Sequence, residues 1–185
     1  MEAMRFSTFA ALAAITFLAA VSVGGAEAHG PTRQKVSETI EINAPPEKVW
    51  AVIGNFQDFS WHPAVVKTEG KGGNAVDATR TVTLQGGGTI DEVIAKYEPQ
   101  NFLLMYRINA VDVKVLPVTN YSSWLTVSPL DGGKRSKVEW RGAFYRGYPN
   151  NDPPPELSDE AAIKAVTGVY TAGLEGLKKK VEGGS

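Results

Sequence analysis

Residues 55–66 read NFQDFSWHPAVV and gather Phe56, Phe59, Trp61 and His62 into one turn-rich stretch. His62 is one of only two histidines in the chain, and its imidazole titrates near neutral pH. Two readings stand for this segment: core packing at a helix–strand junction, or one wall of a site. Catalysis by His62 would need a positioned partner, which spacing along the chain does not locate. The other histidine, His29, raises a separate possibility. A mature chain beginning there would offer a free amine and an imidazole, and with His62 could chelate copper in a histidine brace. Arg80, Arg107 and Arg141 could each bind a carboxylate, although isolated arginines on strands are usually solvated. There is no cysteine, which excludes thiol catalysis, Cys-ligated zinc, iron–sulfur clusters and covalently attached c-type haem. Gly86-Gly87-Gly88 is not followed by the Lys-Ser/Thr of a phosphate loop and reads as a hairpin. No cofactor is expected.

The elements that must position these residues begin after a leader. Arg5 precedes an apolar run from Phe6 to Val23, and Ala26-Glu27-Ala28 supplies a small-x-small cleavage site. Residues 1–28 therefore read as a secretory signal peptide, leaving 29–185 as a single domain in the periplasm. Loss of Glu2, Arg5 and Glu27 takes 19 basic and 20 acidic residues to 18 of each, a net charge of zero. That balance gives no electrostatic reason to expect nucleic acid or an anionic membrane as partner. No membrane association is expected after cleavage.

Residues 34–42, QKVSETIEI, alternate as a strand. Pro45-Pro46 opens a helix over PPEKVWAVIGNF, with Val49, Trp50, Val52, Ile53 and Phe56 on its buried side. The quoted stretch then forms a turn or a short second helix, broken by Pro63. From about 65 to 147 the pattern is strands: VVKTEG, ATRTVTLQ, TIDEVIAKYEP, NFLLMYRINA, YSSWLTVSPL and SKVEWRGAFYRG. Turn signals at 86–88, 99–101 and 131–133 separate them. In the last strand, Val138, Trp140 and Phe144 share one face, opposite Glu139, Arg141 and Tyr145. After NNDPPPEL, Ser158 can cap a long helix whose stripe is Ala162, Val166, Val169, Tyr170, Gly173, Leu174 and Leu177. Strand, helix, a run of strands and a closing helix make an α+β arrangement, with a sheet bent around the last helix.

This order, with INAPPEKVWAVIGNFQDFSWHPAVV near its start, resembles the START/Bet v 1-like superfamily, also called SRPBCC or polyketide cyclase/dehydrase-like. The Ala-Pro-Pro-Glu-Lys-Val-Trp opening and the Phe-x-x-Phe-x-x-Trp-x-Pro turn carry the likeness, which extends over essentially the whole mature chain. It implies a helix-grip fold: a seven-stranded antiparallel sheet wrapped round the C-terminal helix, enclosing an apolar pocket. In that arrangement Phe56, Phe59, Trp61 and His62 lie at one mouth of the pocket. Tyr106, Trp124, Trp140, Phe144 and Tyr170 are further pocket or gate candidates, although Trp and Tyr also suit docking surfaces.

A narrower likeness lies in HGPTRQKV at 29–36 and VKVLPVTNYSSWLTV at 113–127. These segments are similar to the family of periplasmic methanol-oxidation accessory proteins, MxaD-like. That likeness implies a non-enzymatic supporting role, with methanol dehydrogenase and cytochrome cL as partners. Two other classes stand beside it: a carrier or sensor of a small hydrophobic ligand, and a cyclase- or hydrolase-like enzyme. A large continuous cavity would favour the carrier. A filled core with an exposed aromatic patch would favour the accessory protein, and paired titratable groups inside the cavity the enzyme.

Overall fold

In a computed structural model, residues 30–183 are described; the expected signal peptide, and His29 with it, lie outside the described residues. Seven antiparallel strands follow the chain: β1 (Gln34–Ile42), β2 (Val65–Lys71), β3 (Thr79–Leu84), β4 (Thr89–Glu98), β5 (Leu103–Val111), β6 (Val118–Leu130) and β7 (Arg135–Arg146). They form one sheet in the order β1-β7-β6-β5-β4-β3-β2. The chain leaves β1 at one edge, crosses through α1 (Pro46–Ile53), and re-enters at the far edge as β2. From β2 onward each strand pairs with the next, as the short turn-rich connections require.

Helix α1 is shorter than the apolar pattern suggests. Gly54 donates its N–H to the Trp50 carbonyl, and residues from 55 onward turn away as a non-helical segment. Phe56 is still fully buried, but it reaches the core from this turn rather than from the helix. The closing helix α2 (Asp159–Gly183) is capped as the sequence indicates, with the Ala161 N–H donating to Ser158 Oγ at 3.1 Å. Ala162, Val166, Tyr170, Gly173, Leu174, Leu177 and Val181 form its buried stripe.

Helix α2 rests chiefly on β1 and β7, so it covers only part of the curved sheet. The inner face of β3, β4 and β5 is enclosed instead by the turn from Phe59 to Val65 and by the loop carrying Val115 and Leu116. A helix on one side and two loops on the other do not close over the sheet completely. An internal space remains between them.

Candidate functional site

That space is a cavity of about 80 Å³, bordered by Phe59, His62, Val82, Ile90, Glu92, Tyr106, Ile108, Leu116, Tyr121, Trp140 and Val169, among others. Most of its wall is apolar or aromatic. Strand alternation supplies the inward set: Arg80 and Val82 from β3, Ile90 and Glu92 from β4, Tyr106 and Ile108 from β5.

His62 is held between two backbone groups. The Val169 carbonyl can only accept, so His62 Nε2, 3.0 Å away, carries the proton and donates it. Nδ1 then accepts from the Ala64 N–H at 3.2 Å. Burial pushes the His62 pKa down; the bond to Val169 opposes this, and the nearby Arg80 charge adds to it. Both ring nitrogens are therefore committed. The other half of the copper reading, His29, lies outside the described residues. Gly173 makes the close approach possible, since a Cβ there would stand 2.6 Å from both His62 Cδ2 and Trp140 Cζ3.

Behind the cavity wall runs a directional chain of hydroxyls. Ser123 Oγ donates to the Arg141 carbonyl at 3.0 Å, so the Tyr170 hydroxyl, 3.1 Å away, donates to Ser123. Tyr121 must then donate to Tyr170 across 2.5 Å. The Trp140 indole N–H donates to Ser123 Oγ at 2.8 Å and lies 3.2 Å from the Tyr106 hydroxyl. Trp140 and Tyr170 also stack, with ring centroids 4.4 Å apart and planes 14° from parallel. Burial raises the pKa of Tyr106, Tyr121 and Tyr170, so all three are protonated at neutral pH. Gly142 leaves the room: a Cβ there would sit 2.1 Å from the Tyr170 oxygen.

Arg80 is not solvated, contrary to the expectation for an isolated strand arginine. Its Nε lies 2.6 Å from Glu92 Oε2, its Nη1 donates to the Phe56 carbonyl at 3.1 Å, and its guanidinium lies over the rings of Phe56 and Phe59. Burial pushes the Glu92 pKa up, while Arg80 pulls it down. Arg107 and Arg141 are exposed on the outer face, where Arg141 lies over Trp124.

Of the pocket or gate candidates, Phe59, His62, Tyr106 and Trp140 border the cavity. Tyr170 stands behind it, hydrogen-bonded to Tyr121. Phe56, Trp61 and Phe144 are core residues that pack around it: Phe56 under Arg80, Trp61 edge-on to Phe59 and Trp140, and Phe144 stacked on Tyr121. Trp124 does not face the cavity. It pairs in register with Met105 and Arg141 on the opposite face of the sheet, because its neighbours Ser123 and Leu125 take the inward positions. Sequence reasoning missed Glu92 and Tyr121. Glu92 lies two residues from both Ile90 and Ile94, and Tyr121 shares the parity of Ser123 and Leu125, so strand period alone places each inward.

Residues 33–182 match the family model for polyketide cyclase / dehydrase and lipid transport proteins. The chain belongs to that family. Its members are polyketide cyclase/dehydrase-like and share a ligand-binding fold, which is the α+β helix-grip arrangement seen here. No curated protein matches. Among solved structures, protein XoxI from Bacillus cereus is 29% identical, with a TM-score of 0.68 over 80% of this chain and 95% of that one. The aromatase/cyclase Zhui from a Streptomyces species is 17% identical, with a TM-score of 0.66 over 82% of this chain and 94% of that one. Norcoclaurine synthase from Thalictrum flavum is also 17% identical, with a TM-score of 0.63 over 82% of this chain and 88% of that one. At that identity the last two share the fold alone.

Proposed function

We propose that this member of the family is a periplasmic accessory protein of methanol oxidation, assisting methanol dehydrogenase and cytochrome cL by protein–protein contact rather than by catalysis. The observation that carries the non-catalytic part is the commitment of His62. Acid–base turnover in a pocket calls for one group that gives a proton and another that takes it. Both His62 nitrogens are held by backbone groups and the Tyr121 proton is directed at Tyr170, which leaves Glu92 and the protonated Tyr106 hydroxyl as the uncommitted polar groups on the cavity wall. The core is also largely filled, with Trp140, Tyr106, Tyr170, Phe56 and Phe144 all buried in it. The partners rest on the likeness of residues 29–36 and 113–127 to methanol-oxidation accessory proteins, and the compartment on the leader sequence.

Affinity capture of the mature protein from the periplasm of a methanol-grown methylotroph tests this reading. Methanol dehydrogenase or its cytochrome should co-purify at a fixed ratio. Recovery of neither would overturn it. The apolar cavity favours a second reading, a carrier or sensor of a small hydrophobic ligand, which mass spectrometry of small molecules in the same sample would reveal.

A further inference from the structure

Both helices pack on the inner side of the sheet, α2 through Tyr170 against Trp140 and α1 through Trp50 against Tyr97 and Phe102. The outer face of β5, β6, β7 and β1 faces away from them. On it Met105, Trp124, Arg141 and Ser37 stand side by side, and Arg107, Ser122, Ala143 and Lys35 form the adjoining row. Arg33 joins this row, its Nη2 donating to Ser122 Oγ at 3.2 Å.

The mature chain has no net charge, yet this face gathers Arg33, Lys35, Arg107 and Arg141, all exposed. None of the four lies in an ion pair with a described residue. Glu139, in the row beyond Trp124, accepts from Ser37 Oγ at 3.0 Å instead, and Glu41 is paired with Arg135. Two of the guanidiniums are also held over rings. Arg141 lies 5.0 Å from the centroid of Trp124, and Arg33 lies 5.6 Å from that of Tyr145. A guanidinium resting on a ring keeps its N–H edge free and loses little further freedom when a carboxylate arrives.

The composition of the face selects the kind of partner. Trp, Tyr, Met and Arg are the side chains enriched at the centres of protein interfaces. Four strands about 4.8 Å apart make a face roughly 15 Å wide, the scale of an interface core. A chain without net charge has no long-range field to draw it to an anionic membrane. Arginine forks set around an aromatic ring match carboxylates on another protein, which they can hold bidentately.

We infer that this outer face, centred on Trp124, docks a carboxylate-bearing surface of a partner protein, with Arg107 and Arg141 donating to its carboxylates beside the tryptophan ring. The inference rests on the accessory reading and gives that reading a surface. Because these pairs form at contact and lose water there, salt screens them less than it screens exposed charges.

The test is calorimetric titration of the mature protein with methanol dehydrogenase and with cytochrome cL. It compares the unaltered protein with Trp124→Ala, Arg107→Gln/Arg141→Gln, Arg107→Glu/Arg141→Glu and Lys67→Glu/Lys71→Glu. The last variant makes the same change in net charge as the arginine reversal, but at the far edge of the sheet on β2. Trp124→Ala should weaken binding at least about thirtyfold, the level of an interface hot spot. Reversing the two arginines should weaken it more than neutralising them, and the β2 variant should bind almost as the unaltered protein does. Undiminished binding by both Trp124→Ala and the arginine reversal would overturn the surface and leave the accessory reading in place. Equal losses in the arginine reversal and the β2 variant would assign the effect to net charge and also overturn the surface. If the unaltered protein binds neither partner, the accessory reading and the surface fall together. Self-association, or binding to vesicles of anionic phospholipid, that is lost in Trp124→Ala would give the face a different occupant and overturn the inference. Should Trp124→Ala fail to fold, the arginine variants decide.

Discussion

Arg80 and Glu92 stand opposite each other on β3 and β4, 3% and 4% exposed, with Arg80 Nε 2.6 Å from Glu92 Oε2. An ion pair this deep is a weak contributor to stability while intact, since desolvation offsets most of the attraction. Breaking it is another matter. Glu92→Ala leaves a buried guanidinium without its counter-ion and should cost about 3–5 kcal/mol, whereas Arg80→Met/Glu92→Met should cost much less. Urea denaturation midpoints of the single and double variants measure this. Equal losses would mean that the charges are better solvated than their burial indicates.

His62 should make stability depend on pH in a defined direction. Its folded-state pKa lies below the ordinary 6.5, so the unfolded chain takes up a proton first as pH falls. The contribution is fully present above about pH 6.5 and is lost as pH drops toward the folded-state value. Glu92 acts oppositely: its raised pKa makes stability fall as pH rises above its ordinary 4.5. The difference between the unaltered protein and His62→Gln, followed by denaturation from pH 7.5 to 5.5, isolates the histidine. The unaltered protein should lose more stability than the variant over that range. Parallel curves would refute the assignment.

Helix α2 should be indispensable to the core. Leu174 is 2% exposed, and Leu174→Ala should cost roughly 2–5 kcal/mol. Gly142→Ala should be costly for a different reason, since the new Cβ would displace the Tyr170 hydroxyl from Ser123 and Tyr121. Thermal unfolding of both variants gives the measure; a midpoint unchanged in either would contradict the packing described.

The exported form should begin at His29, following the Ala26-Glu27-Ala28 site. Intact mass of periplasmic protein checks this, and a mass retaining residues 1–28 would remove the periplasmic reading.

Much of this fold is legible in the sequence because its signals are local. Period-two runs, the glycine turns at 86–88 and 131–133, and the Ser158 cap each determine their own element. For β7 the bulky Val138, Trp140 and Phe144 only favour their face in the sequence, because parity depends on register; the structure puts them inside. The site is less legible, because its chemistry comes from pairs distant in sequence. His62 meets Val169 only when α2 closes, and nothing near either residue signals the contact. Arg80 and Glu92 resemble ordinary strand charges until the β3–β4 register sets them face to face. Trp124 misleads in the opposite sense: a large aromatic on a strand suggests an interior, yet its parity puts it outside with Arg141.

The accessory role is tested most directly by titrating the mature protein into methanol dehydrogenase and cytochrome cL while cytochrome reduction is followed. The protein should change the rate of electron transfer without oxidising methanol itself. With a mature net charge of zero, its effect should vary only modestly with salt once the response of the pair alone is subtracted. An unchanged rate, together with no binding to either protein, would contradict the accessory role and leave the cavity as the functional feature.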